Sequence, residues 1–67
     1  MRAVALFTSR SQARRCVQFC TASGVPAHIL NGGRLSLGYI EVSFPSQYET
    51  LVRGAFYDVL SYIVVYA

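Results

Sequence analysis

The chain has 67 residues, of which 54% are hydrophobic and 13% are charged. This composition excludes intrinsic disorder, which requires low hydrophobicity and high charge, and the length predicts a single domain over residues 1–67. All six basic residues are arginine and only three residues are acidic, so the net charge of +3 suits an acidic partner without requiring one.

The first elements predicted along the chain are a strand and a helix. Residues 3–7 form a short apolar run that is typical of a strand. Ser9 and Gln12 have the spacing of a capping box, in which two side chains satisfy free backbone N–H groups at a helix start. Apolar residues then recur at helical spacing until Gly24, a residue that commonly ends helices. A helix is therefore predicted over 10–23.

Two further strands and a tight reversal are predicted next. Residues 25–30 have strand character, and Pro26 near their start favours a sheet edge because proline donates no ladder hydrogen bond. Asn-Gly-Gly at 31–33 is typical of hairpin turns. Residues 35–44 then alternate between two sides, which predicts the third strand.

A second helix and a last strand complete the chain. Ser46 and Glu49 have the spacing of a second capping box. The apolar residues that follow at helical spacing are Tyr48, Leu51, Val52, Ala55 and Val59. Residues 60–66 are β-branched, aromatic and uncharged, which predicts a strand.

The element order β-α-β-β-α-β predicts an α+β domain of the ferredoxin-like type. In this arrangement a four-stranded antiparallel sheet carries two helices on one face. The first and third strands lie in the centre of the sheet, and the second and fourth lie at its edges.

Alternation along the predicted strands divides their residues between the two faces of the sheet. The residues predicted to face the helices are Val4, Leu6, Ala27, Ile29, Ile40, Val42, Phe44, Ile63 and Val65. The bare face is predicted to carry Ala5, Phe7, His28, Leu30, Leu37, Tyr39, Tyr62, Val64 and Tyr66. A face this apolar is typical of an interaction site, and an uncharged last strand at an edge can pair with another chain. The residues predicted to bind a partner are Phe7, Leu37, Tyr39, Tyr62, Val64 and Tyr66.

Residues 38–44 resemble the RNP1 motif of the RNA-recognition motif family. The positions that match are Gly38, Tyr39, Val42 and Phe44, whereas Leu37 replaces a basic residue and Glu41 replaces a base-stacking aromatic residue. The first strand also lacks the aromatic residue of the family's RNP2 motif. The resemblance implies stacking of nucleic-acid bases on the sheet face, which is the alternative function.

An arginine cluster on the first helix is the candidate anion contact. Arg10, Arg14 and Arg15 lie on the outer side of the predicted helix, and Arg34 at the hairpin tip can extend the cluster. Such a cluster contacts an acidic protein surface or nucleic-acid phosphates. An ordinary solvated helix face explains the same pattern.

No constellation of catalytic or metal-binding residues is recognised. Cys16 and Cys20 lie four apart on the apolar side of the first helix, too far apart for a disulfide, and are interpreted as core residues. His28 is the only histidine and is predicted to lie at the surface or an interface. With three acidic residues in the chain, neither an enzyme nor a cofactor site is expected.

These observations predict a small, non-enzymatic protein-interaction module, a regulator or inhibitor of the kind that bacteria or phages encode. A protein partner is expected, most simply a second copy of the chain, since small domains commonly gain stability by oligomerisation. The apolar segments are too short for a signal peptide or a membrane span, so a cytoplasmic location is expected, without membrane contact.

Overall fold

The computed structural model describes residues 1–30 and 38–66, and for Tyr62 and Tyr66 it describes the backbone alone. The elements in these residues are β1 (Arg2–Phe7), α1 (Arg10–Ala22), β2 (His28–Leu30), β3 (Ile40–Pro45), a 3₁₀ turn (Ser46–Tyr48), α2 (Glu49–Phe56) and β4 (Leu60–Tyr66). The predicted reversal at 31–33 and the beginning of the predicted third strand lie outside the described residues.

The described strands form one antiparallel sheet in the order β2-β3-β1-β4. The prediction of an α+β domain built on an antiparallel sheet is therefore confirmed. β2 is shorter than the strand predicted over 25–30, because Val25 and Pro26 cannot join the ladder of hydrogen bonds. The N–H group of Val25 donates instead to the carbonyl of Cys20 at 2.8 Å, and Pro26 has no N–H group.

The core lies between one face of the sheet and the two helices. Residues of β2, β3 and β4 that pack on this side as predicted are Ile29, Ile40, Val42, Phe44 and Ile63. The rings of Phe7 and Phe19 each meet the ring of Phe56 edge-on, with centroids 5.9 Å and 5.6 Å apart. These contacts join β1, α1 and α2, so both helices pack on the same side of the sheet.

β1 faces the opposite way from the prediction. Its residues on the helix-covered face are Ala3, Ala5 and Phe7, and those on the other face are Val4 and Leu6. Phe7 lies opposite Ile40 of β3, which fixes this orientation. The prediction failed because a central strand is buried on both faces and is apolar throughout, so alternation does not reveal its register.

Gly24 ends α1 as predicted. Its φ of +76° is a left-handed conformation that glycine adopts without a Cβ clash. The N–H group of Gly24 donates to the Thr21 carbonyl at 3.1 Å, and that of Val25 to the Cys20 carbonyl. These two bonds form a Schellman motif, in which the buried Val25 and Cys20 supply the accompanying apolar contact.

Neither predicted capping box forms. The hydroxyl of Ser9 lies 2.9 Å from the hydroxyl of Ser11 instead of capping α1. Ser46 begins the 3₁₀ turn, and the carboxylate of Glu49 accepts from Arg53 one turn later in α2. The serines therefore mark the starts of both helical segments without satisfying their free N–H groups.

The packed side of α2 differs in part from the predicted one. Tyr48, Val52 and Val59 pack against the core as predicted. Leu51 is 43% exposed and Ala55 is exposed, although both were predicted on the apolar side, and Phe56 packs inward one turn after Val52. Phe56 was absent from the predicted stripe and takes this position because its ring reaches Phe7 and Phe19.

Candidate interaction surfaces

The face of the sheet opposite the helices, named the rear face, is buried at its centre. Its described side chains are Arg2, Val4, Leu6, His28, Leu30, Glu41, Ser43, Pro45 and Val64. Leu6 is 0% exposed, Val4 2%, Glu41 3% and Ser43 6%. The prediction of a bare apolar face is therefore wrong at the centre of the sheet, and exposed or half-buried side chains remain only at its margins.

The predicted partner-binding residues separate into different environments. Phe7 is fully buried in the core, so its assignment to a binding surface is wrong. Tyr39 is 36% exposed just before β3, and Val64 is half-buried on the rear face. The remaining three are Leu37, which lies outside the described residues, and Tyr62 and Tyr66, whose backbones pair with β1.

A polar cluster lies on the rear face where the sequence predicted apolar residues. The Nε and Nη2 atoms of Arg2 donate to the hydroxyl of Ser43 at 3.2 Å and 2.8 Å. This contact joins residues 41 positions apart in the chain, on two neighbouring strands. No local pattern reveals it, because the register of β1 against β3 creates it.

Base stacking on the sheet loses Phe7 in this geometry, because its ring lies beneath the helices. Glu41, which replaces a base-stacking aromatic residue of the motif, lies on the rear face opposite Leu6 and Leu30. Of the aromatic residues cited for stacking, Tyr39 keeps an exposed side chain. Nucleic-acid binding stays a prediction, and it depends on Tyr39 and the arginine cluster.

β4 is the edge of the described sheet and the longest described strand. It spans Leu60–Tyr66, carries no charged residue and pairs with β1 from Arg2 to Phe7. No described residue pairs with its other side. Val65 is 40% exposed and Ser61 is exposed, so this edge presents both main-chain groups and apolar surface.

The arginines of α1 are exposed and lie on two different sides of the helix. Arg14 lines a cleft between α1 and β2, whereas Arg15 lines a groove between α1 and α2. Arg10 lies one turn before Arg14, and all three side chains are exposed. Arg34 lies outside the described residues, so the predicted extension of the cluster to the hairpin tip is not described.

The cleft between α1 and β2 has a volume of about 370 Å³ and is open to solvent. Its lining residues are Arg14, Val17, Gln18, Ala27, His28 and Ile29. The sequence analysis missed this site. The only sequence feature that points to it is the pairing of a basic residue with an apolar one on the same side of α1, at positions 14 and 17.

Cys16 and Cys20 are free, buried core residues, as predicted. Burial, with a smaller contribution from the neighbouring Cys20, raises the pKa of the Cys16 thiol to about 12. Burial also raises the pKa of Cys20, while a hydrogen bond with Cys16 lowers it. Both thiols therefore stay protonated at neutral pH, and a protonated thiol is a poor nucleophile.

The remaining chemical candidates are dispersed. The His28 side chain is exposed on the rear face, Glu49 binds Arg53, and Asp58 lies in the groove between the helices. Within residues 1–30 and 38–66, no group of three or more histidine, cysteine or acidic side chains is placed to hold a metal ion. No helix among the described residues is long and apolar enough to cross a membrane.

Comparisons of the chain with models of protein families, with curated proteins and with solved structures give no significant match.

Proposed function

We propose that this chain is a non-enzymatic interaction domain of ferredoxin-like topology that binds a second copy of itself through the edge of β4 that no described residue pairs with. The observation that carries the proposal is the edge itself, seven residues long, uncharged and paired with β1 on one side. Unpaired N–H and C=O groups on such an edge are a template for another strand. We assign the chain to the cytoplasmic regulators.

The order β2-β3-β1-β4 supports the ferredoxin-like topology, and the sheet formed by the described residues has two edges, β2 and β4. β2 has three residues, follows Pro26 and carries the exposed His28. A strand this short offers few main-chain hydrogen bonds. β4 offers a length of about 24 Å at about 3.4 Å per residue, so it is the stronger edge for pairing.

A second copy of the chain is the partner that matches the edge of β4 best. Two antiparallel copies of an uncharged strand bring no like charges together, although each chain carries a net charge of +3. Full overlap of Leu60–Tyr66 places the two-fold axis at Ile63. Ser61 of one copy then lies opposite Val65 of the other, with Cα atoms about 4.5–5.5 Å apart.

This register is tested by oxidative crosslinking of the variant Ser61→Cys/Val65→Cys. Within one chain these positions are four residues apart, about 13 Å along the strand, which is beyond the Cα separation of about 7 Å that a disulfide tolerates. We expect a covalent dimer from the double variant, and also from a mixture of the two single variants. The native thiols do not interfere, because both are buried and protonated.

The two single variants are the controls for the double variant. Ser61→Cys alone, or Val65→Cys alone, should remain monomeric after oxidation, because like positions lie far apart when the axis is at Ile63. Failure of the double variant to crosslink, or equal crosslinking of the single variants, would contradict pairing in this register.

A charge on the edge tests the same proposal without new cysteines. Val65→Lys adds a cation to the β4 edge, and Leu51→Lys adds the same charge on α2 at a residue of similar exposure, 43% against 40% for Val65. We expect Val65→Lys to shift the protein to monomer and Leu51→Lys to leave the dimer intact. Equal effects of the two variants would indicate a response to net charge alone.

A further inference from the structure

The cleft between α1 and β2 combines an apolar floor with a cationic rim. Val17, Ala27 and Ile29 are half-buried and form the floor, while Arg14 is exposed at the rim. The guanidinium of Arg14 is a cationic hydrogen-bond donor.

The charge around this cleft is one-sided among the described residues. Arg10 lies one helical turn before Arg14 on the same side of α1, which places a second cation beside the rim. The described acidic residues lie elsewhere: Glu41 is on the rear face, Glu49 binds Arg53 and Asp58 lies in the groove on the other side of α1. A ligand that matches the rim is therefore anionic.

The cleft also runs along a strand edge. β2 is the last strand of the described sheet on this side and pairs with β3 through His28, Ile29 and Leu30. A helix beside a sheet edge forms a channel in which an extended peptide adds as a further strand, its main chain bonding the edge and alternate side chains entering the channel.

From these features we propose that the α1–β2 cleft binds an extended acidic peptide segment of another protein, in which apolar and acidic residues alternate. Apolar side chains contact the floor at Val17 and Ile29. Carboxylates accept hydrogen bonds from Arg14. The site lies at the opposite edge of the described sheet from β4, so it does not depend on self-association.

The test measures fluorescence anisotropy of a fluorescein-labelled heptapeptide in which valine and glutamate alternate. A second peptide carries glutamine in place of each glutamate. The chain variants are Arg14→Glu and Arg15→Glu, which make the same change in net charge on neighbouring exposed residues of α1. Only Arg14 lines the cleft, since Arg15 lines the groove on the other side of the helix.

We expect Arg14→Glu to weaken binding of the acidic peptide roughly tenfold or more, because a hydrogen-bonded charge contact is lost and a repulsive one is introduced. Arg15→Glu should weaken it less than about threefold, as expected for a screened charge at a distance. The glutamine peptide should bind at least as weakly to the unaltered chain as the acidic peptide binds to Arg14→Glu. Circular dichroism spectra establish that both variants are folded.

Backbone amide shifts give an independent readout. Binding of the acidic peptide should shift amide signals of Ala27, His28 and Ile29 and leave those of β4 unchanged. Equal weakening by the two glutamate variants, shifts confined to other elements, or tighter binding of a single-stranded oligonucleotide than of the peptide would overturn the proposal.

Discussion

Replacement of Phe7 separates its observed role in the core from its predicted role in binding. The ring is fully buried and meets Phe56 edge-on at 5.9 Å. Phe7→Leu removes this aromatic pair, worth about 0.5–1.5 kcal/mol, and changes the shape of a packed site, which costs up to about 1.5 kcal/mol. We therefore expect a loss of about 2 kcal/mol, against a total stability of roughly 3–10 kcal/mol for a domain of this size.

The assay is urea unfolding followed by circular dichroism at about 5 µM protein, a low concentration that limits the contribution of self-association to stability. With a slope of about 1 kcal/mol per molar urea, the midpoint should fall by about 2 M. Tyr57→Leu is the matched control, since this aromatic residue is 78% exposed, and its midpoint should shift by less than about 0.5 M. Equal midpoints for Phe7→Leu and Tyr57→Leu would refute the orientation assigned to β1.

Three further predictions concern local features. Gly24→Ala should destabilise the protein by about 1 kcal/mol in the same urea assay, because alanine is strained at the left-handed φ of +76°, and an unchanged midpoint would contradict the Schellman motif. The pKa of Cys16 is raised from 9.0 to about 12 in the folded chain. Because the unfolded chain loses this proton first, the free energy of unfolding should fall as pH rises from 9 to 12. Cys16→Ala should show a shallower fall, and parallel pH profiles of the variant and the unaltered chain would be inconsistent with the raised pKa. Arg53→Gln should cost less than about 0.5 kcal/mol, because its ion pair with Glu49 is largely exposed, and a loss above 1 kcal/mol would show that the pair contributes more than solvent screening allows.

The elements that the sequence predicts correctly are those with a local chemical cause. The cysteines of α1 recur at helical spacing and are buried as predicted. Gly24 supplies a left-handed backbone at the end of that helix. Residues 60–66 combine β-branched and aromatic side chains, and β4 has those bounds.

The features that the sequence did not predict depend on contacts between distant segments. The orientation of β1 follows from its pairing with β3, and the contact of Arg2 with Ser43 follows from that orientation. The packed side of α2 is decided by where the ring of Phe56 meets the core. The cleft at Arg14 exists because α1 lies beside β2, and neither segment reveals this neighbour from its own residues.

The central claim, self-association through β4, is tested most directly by the molar mass of the unaltered chain in solution. Light scattering after size-exclusion chromatography should give twice the chain mass of 7.4 kDa at high concentration. Because an interface built on one strand lies at the small end of stable interfaces, we expect dissociation to appear as the protein is diluted through the micromolar range. A mass of 7.4 kDa at all concentrations up to several hundred micromolar would contradict the proposal.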